Sequence, residues 1–206
     1  ISDNSLELYL MPSSSYGTFG STSAELSVST SNATGYSLQI VSSSSDTSHK
    51  DKLIDDSDSG NIKYLDSISS VLPERDFSSS TDATNNNKWG YKPSQYLSGG
   101  DVIKNTGNGA LYLPAPVEAQ TLAITKASNN TADNYSISLG ARAGLDAEYG
   151  TFKNTFQFIV TSNPVVIDFM QTYTASDCEQ LKAGETKLVY DERDDAAYQV
   201  ARLRDG

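Results

Sequence analysis

One cysteine, Cys178, stands among 206 residues, so no disulfide can close within the chain. In a secreted chain a lone cysteine implies a partner thiol elsewhere or a free thiol. Histidine is equally scarce: His49 is the only one, and it lies in the polar stretch Asp46-Thr-Ser-His-Lys-Asp51. Nucleophilic triads need a histidine held by packing and oriented by a buried carboxylate, which such a loop does not promise. Cys178 has no histidine near it in sequence. There is no Gly-x-Ser-x-Gly elbow, no phosphate-binding glycine loop and no zinc-ligand spacing. Basic residues are outnumbered, 15 against 26 acidic, for a net charge of -11. A chain so poor in clustered cations is not built for nucleic acid or an anionic membrane surface. It also lacks the run of about 18 apolar residues that a membrane-spanning helix requires.

Alternation takes the place of these missing features. Ala24, Leu26 and Val28 alternate with Glu25, Ser27 and Ser29; after Asn32-Ala-Thr-Gly35 the pattern resumes with Tyr36, Leu38 and Ile40. Period two around a glycine-bearing break predicts a β-hairpin over about 22–30 and 35–42 with one buried face. Leu6, Leu8 and Leu10 predict a first strand ended by Pro12. Gln120 to Thr125, Tyr135 to Ala143 and Gly150 to Val160 predict three more, with a turn over 144–150. Leu26, Val28, Leu38, Ile40, Ile137, Leu139, Phe156 and Phe158 are the expected core. Eight or so strands, polar turns and no helical repeat predict a mainly β protein, an antiparallel β-sandwich of immunoglobulin-like or jelly-roll-like type.

The expected domain runs from 1 to 163, with a loop-rich insertion over 42–110 where Ser, Asp, Thr and Asn dominate and apolar islands are brief. Pro164 opens a small α/β appendage over 164–206. It comprises a short helix near Asp177–Lys182 and a hairpin of Lys187–Tyr190 with Tyr198–Leu203, turning at Asp191–Asp195. About 40 residues cannot bury much core alone. The start at Ile1 without methionine and the end at Gly206 predict a piece of a longer protein, with export signal and anchor removed.

Two resemblances attach to these residues. Asn32-Ala-Thr-Gly-Tyr-Ser-Leu38, Trp89-Gly-Tyr91 and Tyr149-Gly-Thr-Phe-Lys-Asn-Thr155 with Phe158 resemble, in order and spacing, markers of secreted β-sandwich surface proteins of Saccharibacteria and some Gram-positive bacteria. The family pattern reads NATGYxLxI, then WGY, then GTYxNTVxF. Further on, Thr174-Ala-Ser-Asp-Cys178, Asp191-Glu-Arg-Asp194 and Tyr198-Gln-Val-Ala-Arg-Leu-Arg-Asp-Gly206 resemble the opening of the Fibrobacter succinogenes major paralogous domain. That family continues past the glycine to a cysteine and a tryptophan, which implies that Cys178 pairs with a cysteine beyond the end of this chain. Both resemblances imply an extracellular or cell-surface-anchored bacterial protein and no known activity.

Three constellations offer candidate chemistry. Asp56-x-Asp58-x-Gly60 sets hard oxygens at the alternation of a calcium loop, although Ser67 stands where an EF-hand carries its bidentate glutamate. Trp89, Tyr91 and Tyr96 are candidates for an aromatic contact platform, the alternative for Trp89 being the inter-sheet core. Lys126 and Asn154 are candidate members of an intramolecular isopeptide. Carboxylates abound, but glycosidase chemistry needs two across a cleft and one with a raised pKa, and these lie in polar loops. The functional expectation is a non-catalytic adhesion or structural module of a cell envelope or pilus-like fibre. Its expected partner is a protein or glycan of another envelope, or further copies of itself. A carbohydrate-binding module is the alternative, and a hydrolase ranks last.

Overall fold

The computed structural model describes residues 5–12, 14–44, 46–58, 60–164, 186–191 and 196–201, the last two stretches as backbone. Its strands, in chain order, are β1 (Thr18–Thr30), β2 (Tyr36–Ser42), β3 (Leu53–Asp55), β4 (Lys63–Ser67), β5 (Leu72–Pro73), β6 (Lys88–Pro93), β7 (Gln95–Ser98), β8 (Asp101–Lys104), β9 (Leu111–Tyr112), β10 (Gln120–Ile124), β11 (Asn129–Ala143), β12 (Phe156–Ser162), β13 (Thr186–Asp191) and β14 (Ala196–Ala201). One turn of helix, α1 (Glu74–Phe77), follows β5. The protein is mainly β, as expected.

Two sheets form the sandwich. The larger runs β1-β11-β6-β4-β3 and the smaller β10-β2-β12. All pairings are antiparallel except β4 with β6. The core between them draws Val28 from β1, Tyr36, Leu38 and Ile40 from β2, Tyr91 from β6, Leu122 from β10, and Tyr135 and Ile137 from β11. Leu26, Leu139, Phe156 and Phe158 pack against it, half-buried. All eight expected core positions therefore face inward. Fully burying each such side chain contributes about 1.5–3 kcal/mol.

The expected hairpin is not one. β1 pairs with β11 in the larger sheet, and β2 pairs with β10 and β12 in the smaller. The break at Asn32–Gly35 carries the chain across the core from one sheet to the other. Alternation reports that each strand has a buried face; it does not say that the faces share a sheet. Gly35 makes the crossing with φ of 80°, and a Cβ there would come within 2.7 Å of the Thr125 backbone. β11 and β12 are likewise in different sheets. Between them Lys153 bridges to Ile54 of β3, which delays the start of β12 to Phe156.

The stretch 42–110 proves integral to the fold. It supplies β6, which lies between β11 and β4 near the middle of the larger sheet, and the polar run before it supplies β3 and β4. Short strands and Ser/Asp-rich turns conceal this in the composition. Leu6, Leu8 and Leu10 are extended without joining a sheet; Leu8 and Leu10 pack beside Trp89 and Ala141.

Residues 163–206 form a separate compact unit. Its β13 and β14 pair antiparallel from Thr186–Ala201 to Asp191–Ala196, the expected hairpin. The helix expected near Asp177–Lys182, and Cys178 itself, lie outside the described residues.

Candidate functional site

Two of the three aromatics expected to form a contact platform are core residues. Trp89 and Tyr91 are 1% and 0% exposed. They alternate onto the inner face of β6, where Trp89 packs 5.8 Å from Phe156 and donates its indole N–H to Asp51 O at 3.1 Å. The Tyr91 hydroxyl donates to Gln120 Oε1 inside the sandwich. Tyr96, on β7, is half-buried against the same core. Two of the three rings therefore have no face to offer a ligand.

Exposed aromatic chemistry lies instead at the edge of the larger sheet, on β3 and β4. Tyr64 stands opposite Ile54, 37% exposed, with the His49 ring 4.5 Å above it. His49 Nδ1 meets Asp46 Oδ2 at 2.7 Å, and Asp46 Oδ1 accepts the Ser48 N–H. Lys52 reaches Asp66 at 3.0 Å, and Lys88 approaches its other oxygen at 3.5 Å. Nearby, Lys63 lies 4.2 Å from the centre of the Tyr149 ring, which is 88% exposed.

Asn154 holds this region in shape. Its amide nitrogen donates to Lys50 O and Lys52 O at 3.1 and 2.8 Å, while its oxygen accepts from Ser42 Oγ and Thr155 N. One half-buried amide thus joins the His49 loop to the segment crossing between sheets. It is fully engaged at the Ser42 end of β2, whereas Lys126 follows β10 near Tyr36 at the other end, so the isopeptide pairing is not brought together. Beside Asn154 opens a shallow cleft of about 200 Å³ lined by Ser44, Asp46, Ile54, Asp56, Ile62, Lys153, Asn154 and Thr155.

Charge in the cleft is compensated pair by pair. Lys153 Nζ lies 2.7 Å from Asp56 Oδ1 and holds the Asp56 carboxyl below its ordinary range. The His49 hydrogen bond does the same for Asp46, and Lys52 for Asp66. Asp55, buried, is lowered by hydrogen bonds from Ser57 and then Thr151. These four carboxyls are stabilised as anions, the wrong direction for a general acid near neutral pH.

Asp56 and Asp58 do not converge. Asp56 is committed to Lys153, and Asp58 Oδ1 accepts the Gly60 N–H at 3.0 Å in a local turn. A calcium ion there would have to displace an ammonium. Among the described residues no group of three or more His, Cys, Asp or Glu side chains stands ready to share a metal.

A second polar cluster went unread in the sequence. Arg142, 1% exposed on the outer face of β11, donates to Tyr16 O, Asn86 Oδ1 and Phe77 O. Burial lowers its pKa, and Asp82 opposes that at longer range. Its nitrogens donate to neutral acceptors from three segments, so it tethers three loops. Its only signal was a charge inside the alternation of Tyr135–Ala143.

No known protein family, characterised protein or solved structure matches this chain. Among the described residues no helix is long and apolar enough to cross a membrane.

Proposed function

We propose that the chain is a non-catalytic contact module of a bacterial cell surface, an adhesion or envelope-building domain. The observation that carries this reading is the edge cleft, where each carboxylate described is held ionised by a cation or a hydrogen-bond donor. Such a site is suited to holding a ligand in place; none of these carboxyls is shifted toward the range a general acid needs. The cleft is smaller than the pockets of about 300–1,000 Å³ that enclose drug-sized molecules. It suits one unit of a longer chain lying across the surface. The resemblance to secreted surface proteins favours the same placement outside the cell.

Within that reading a neutral glycan is the second, more specific possibility. Tyr149 and, beside His49, Tyr64 present ring surface, Ile62 presents aliphatic surface, and the compensated pairs present donors and acceptors with little net charge. A hydroxyl-rich ligand uses all three.

The test is retention of the protein by neighbouring cell envelopes, followed by a glycan array. Tyr64→Ala and Lys153→Ala should each lower retention. Hydrolysis of an array glycan, abolished by Asp56→Asn, would replace binding with catalysis. Equal retention of wild type and both variants would remove the cleft from the function.

A further inference from the structure

Sheet edges expose unpaired backbone groups, and folded proteins guard them with charge, proline, bulges or cover. Most of the edges here are guarded. β1 carries Glu25 and a register break between Val28 and Thr30. The short β3 is flanked by Lys52 and Asp56, and Lys153 bridges its Ile54. β10 has a register break between Thr121 and Ala123. β8 carries Asp101 and Lys104.

β12 is different. Phe156-Gln-Phe-Ile-Val-Thr-Ser162 contains no charge and no proline, and it keeps one unbroken register with β2 from Phe156–Ser42 to Ser162–Tyr36. Among the described residues nothing pairs with its other side. The orientation of its backbone follows from one bond. Ser43 N donates to Thr155 O at 2.8 Å, so odd-numbered residues of this strand turn their N–H and C=O toward β2. Phe156, Phe158, Val160 and Ser162 therefore turn theirs away from β2, to the side where no described residue pairs.

We propose that this edge is the site at which a second copy of the chain docks, strand β12 against strand β12, antiparallel about a two-fold axis at Ile159. An antiparallel ladder requires outward-facing residues to meet outward-facing residues. Centring on Ile159 satisfies this at every position: Phe156 meets Ser162 of the copy, Phe158 meets Val160, and the reverse pairs complete the set. The cross-strand neighbours are compatible. An aromatic residue faces a β-branched one on the inner side, and Gln157 faces Thr161 on the outer. Charge selects the edge as well. Two copies each carrying -11 repel, and this strand is one along which no like charges are brought face to face. The product is a continuous sheet of six strands, isologous and closed. This inference is independent of the cleft, and either can fail alone.

The register makes the test specific. In Cys178→Ser full-length protein, Ile159→Cys puts the new thiols opposite each other at a non-hydrogen-bonded pair, where Cα atoms are about 4.5 Å apart, within the span a disulfide accepts. Mild oxidation should give a covalent dimer. Gln157→Cys alone should not, whereas mixing Gln157→Cys with Thr161→Cys should. Without any thiol, sedimentation at high micromolar concentration should show a dimer. Ile159→Lys, which opposes like charges at the axis, should weaken it at least about tenfold, or about 1.4 kcal/mol. Should that variant not fold, the exposed pair Gln157→Cys and Thr161→Cys still decides. A monomer at all concentrations overturns the proposal, as does a dimer whose cross-linking is the same at 157 as at 159.

Discussion

The ring of Tyr112 occupies the space that any larger residue at position 140 would claim: a Cβ on Gly140 would lie 2.5 Å from Tyr112 Cε1. Gly140 pairs with Gly90 across β11 and β6, and Ile68 crowds Gly90 in the same way, 2.9 Å from a Cβ built there. This bare strip on the outer face lets Tyr112 lie against the backbone, edge-on to Phe19 and Phe77.

Gly140→Ala should destabilise by about 1–3 kcal/mol through overpacking. Combined with Tyr112→Leu, it should cost less than the sum of the two single changes. Urea unfolding of the three variants measures both. The Tyr112 hydroxyl points toward Ser21 yet is buried without a well-formed hydrogen bond, so Tyr112→Phe alone should be nearly neutral.

Arg142→Met should destabilise by about 1–3 kcal/mol, because it leaves three acceptors without their donor, the Phe77 carbonyl among them buried. Arg142→Lys should recover little, since an ammonium on a flexible stem does not reproduce the planar fork. Thermal melts of both variants decide.

Buried tyrosines set the alkaline limit. Burial raises Tyr91, and burial together with the hydrogen bond that Tyr36 shares with Tyr135 and the one it donates to Asp133 raises Tyr36, while Tyr112 is pushed up to about 12. A raised folded-state pKa gives stability that is complete below the unfolded value of 10.0 and is lost as pH climbs toward the folded value. Exposed rings such as Tyr149 should ionise first. The buried set should ionise together, as unfolding, when tyrosinate absorbance is followed with pH.

The acid limit has the opposite sign. Lys52 lowers Asp66, Lys153 lowers Asp56, and His49 lowers Asp46. Depressed carboxyls contribute stability above the unfolded value of 3.8 that disappears as pH falls through the folded values. Melting temperature should hold from neutrality to about pH 5 and then decline. Asp66→Asn should lower the neutral plateau and flatten that decline.

Strand identity was legible where one face is buried, because alternation at Tyr135–Ala143 or Tyr36–Ile40 records burial directly. Pairing was not. The residues opposite Leu26 and Val28 lie on β11, more than a hundred positions away, and nothing local in β1 encodes them. The central place of β6 was hidden for another reason: Trp89-Gly-Tyr91 reads as a strand, but it is short and follows an Asn/Ser-rich run, so composition suggested an insertion. The edge cleft was still less legible. Asn154 acts through its bonds to the carbonyls of Lys50 and Lys52, and a carbonyl has no sequence signature. His49 reads in the sequence as a loop residue, since its contact with Tyr64 depends on the fold of β3 onto β4.

The pairing of β1 with β11 has a consequence in time. During synthesis at about 5–20 residues per second, β1 emerges many seconds before β11, its one sheet partner among the described residues. Until Ala143 is made, the larger sheet cannot close, and the apolar face of β1 has no permanent cover. Assembly is governed by long-range contacts, which form slowly because distant segments must meet before any contact rewards the lost entropy. The small, hydroxyl-rich residues between its apolar positions keep the waiting strand hydrated. With serine and threonine on its other face, the early strand has a single apolar face to bury while it waits.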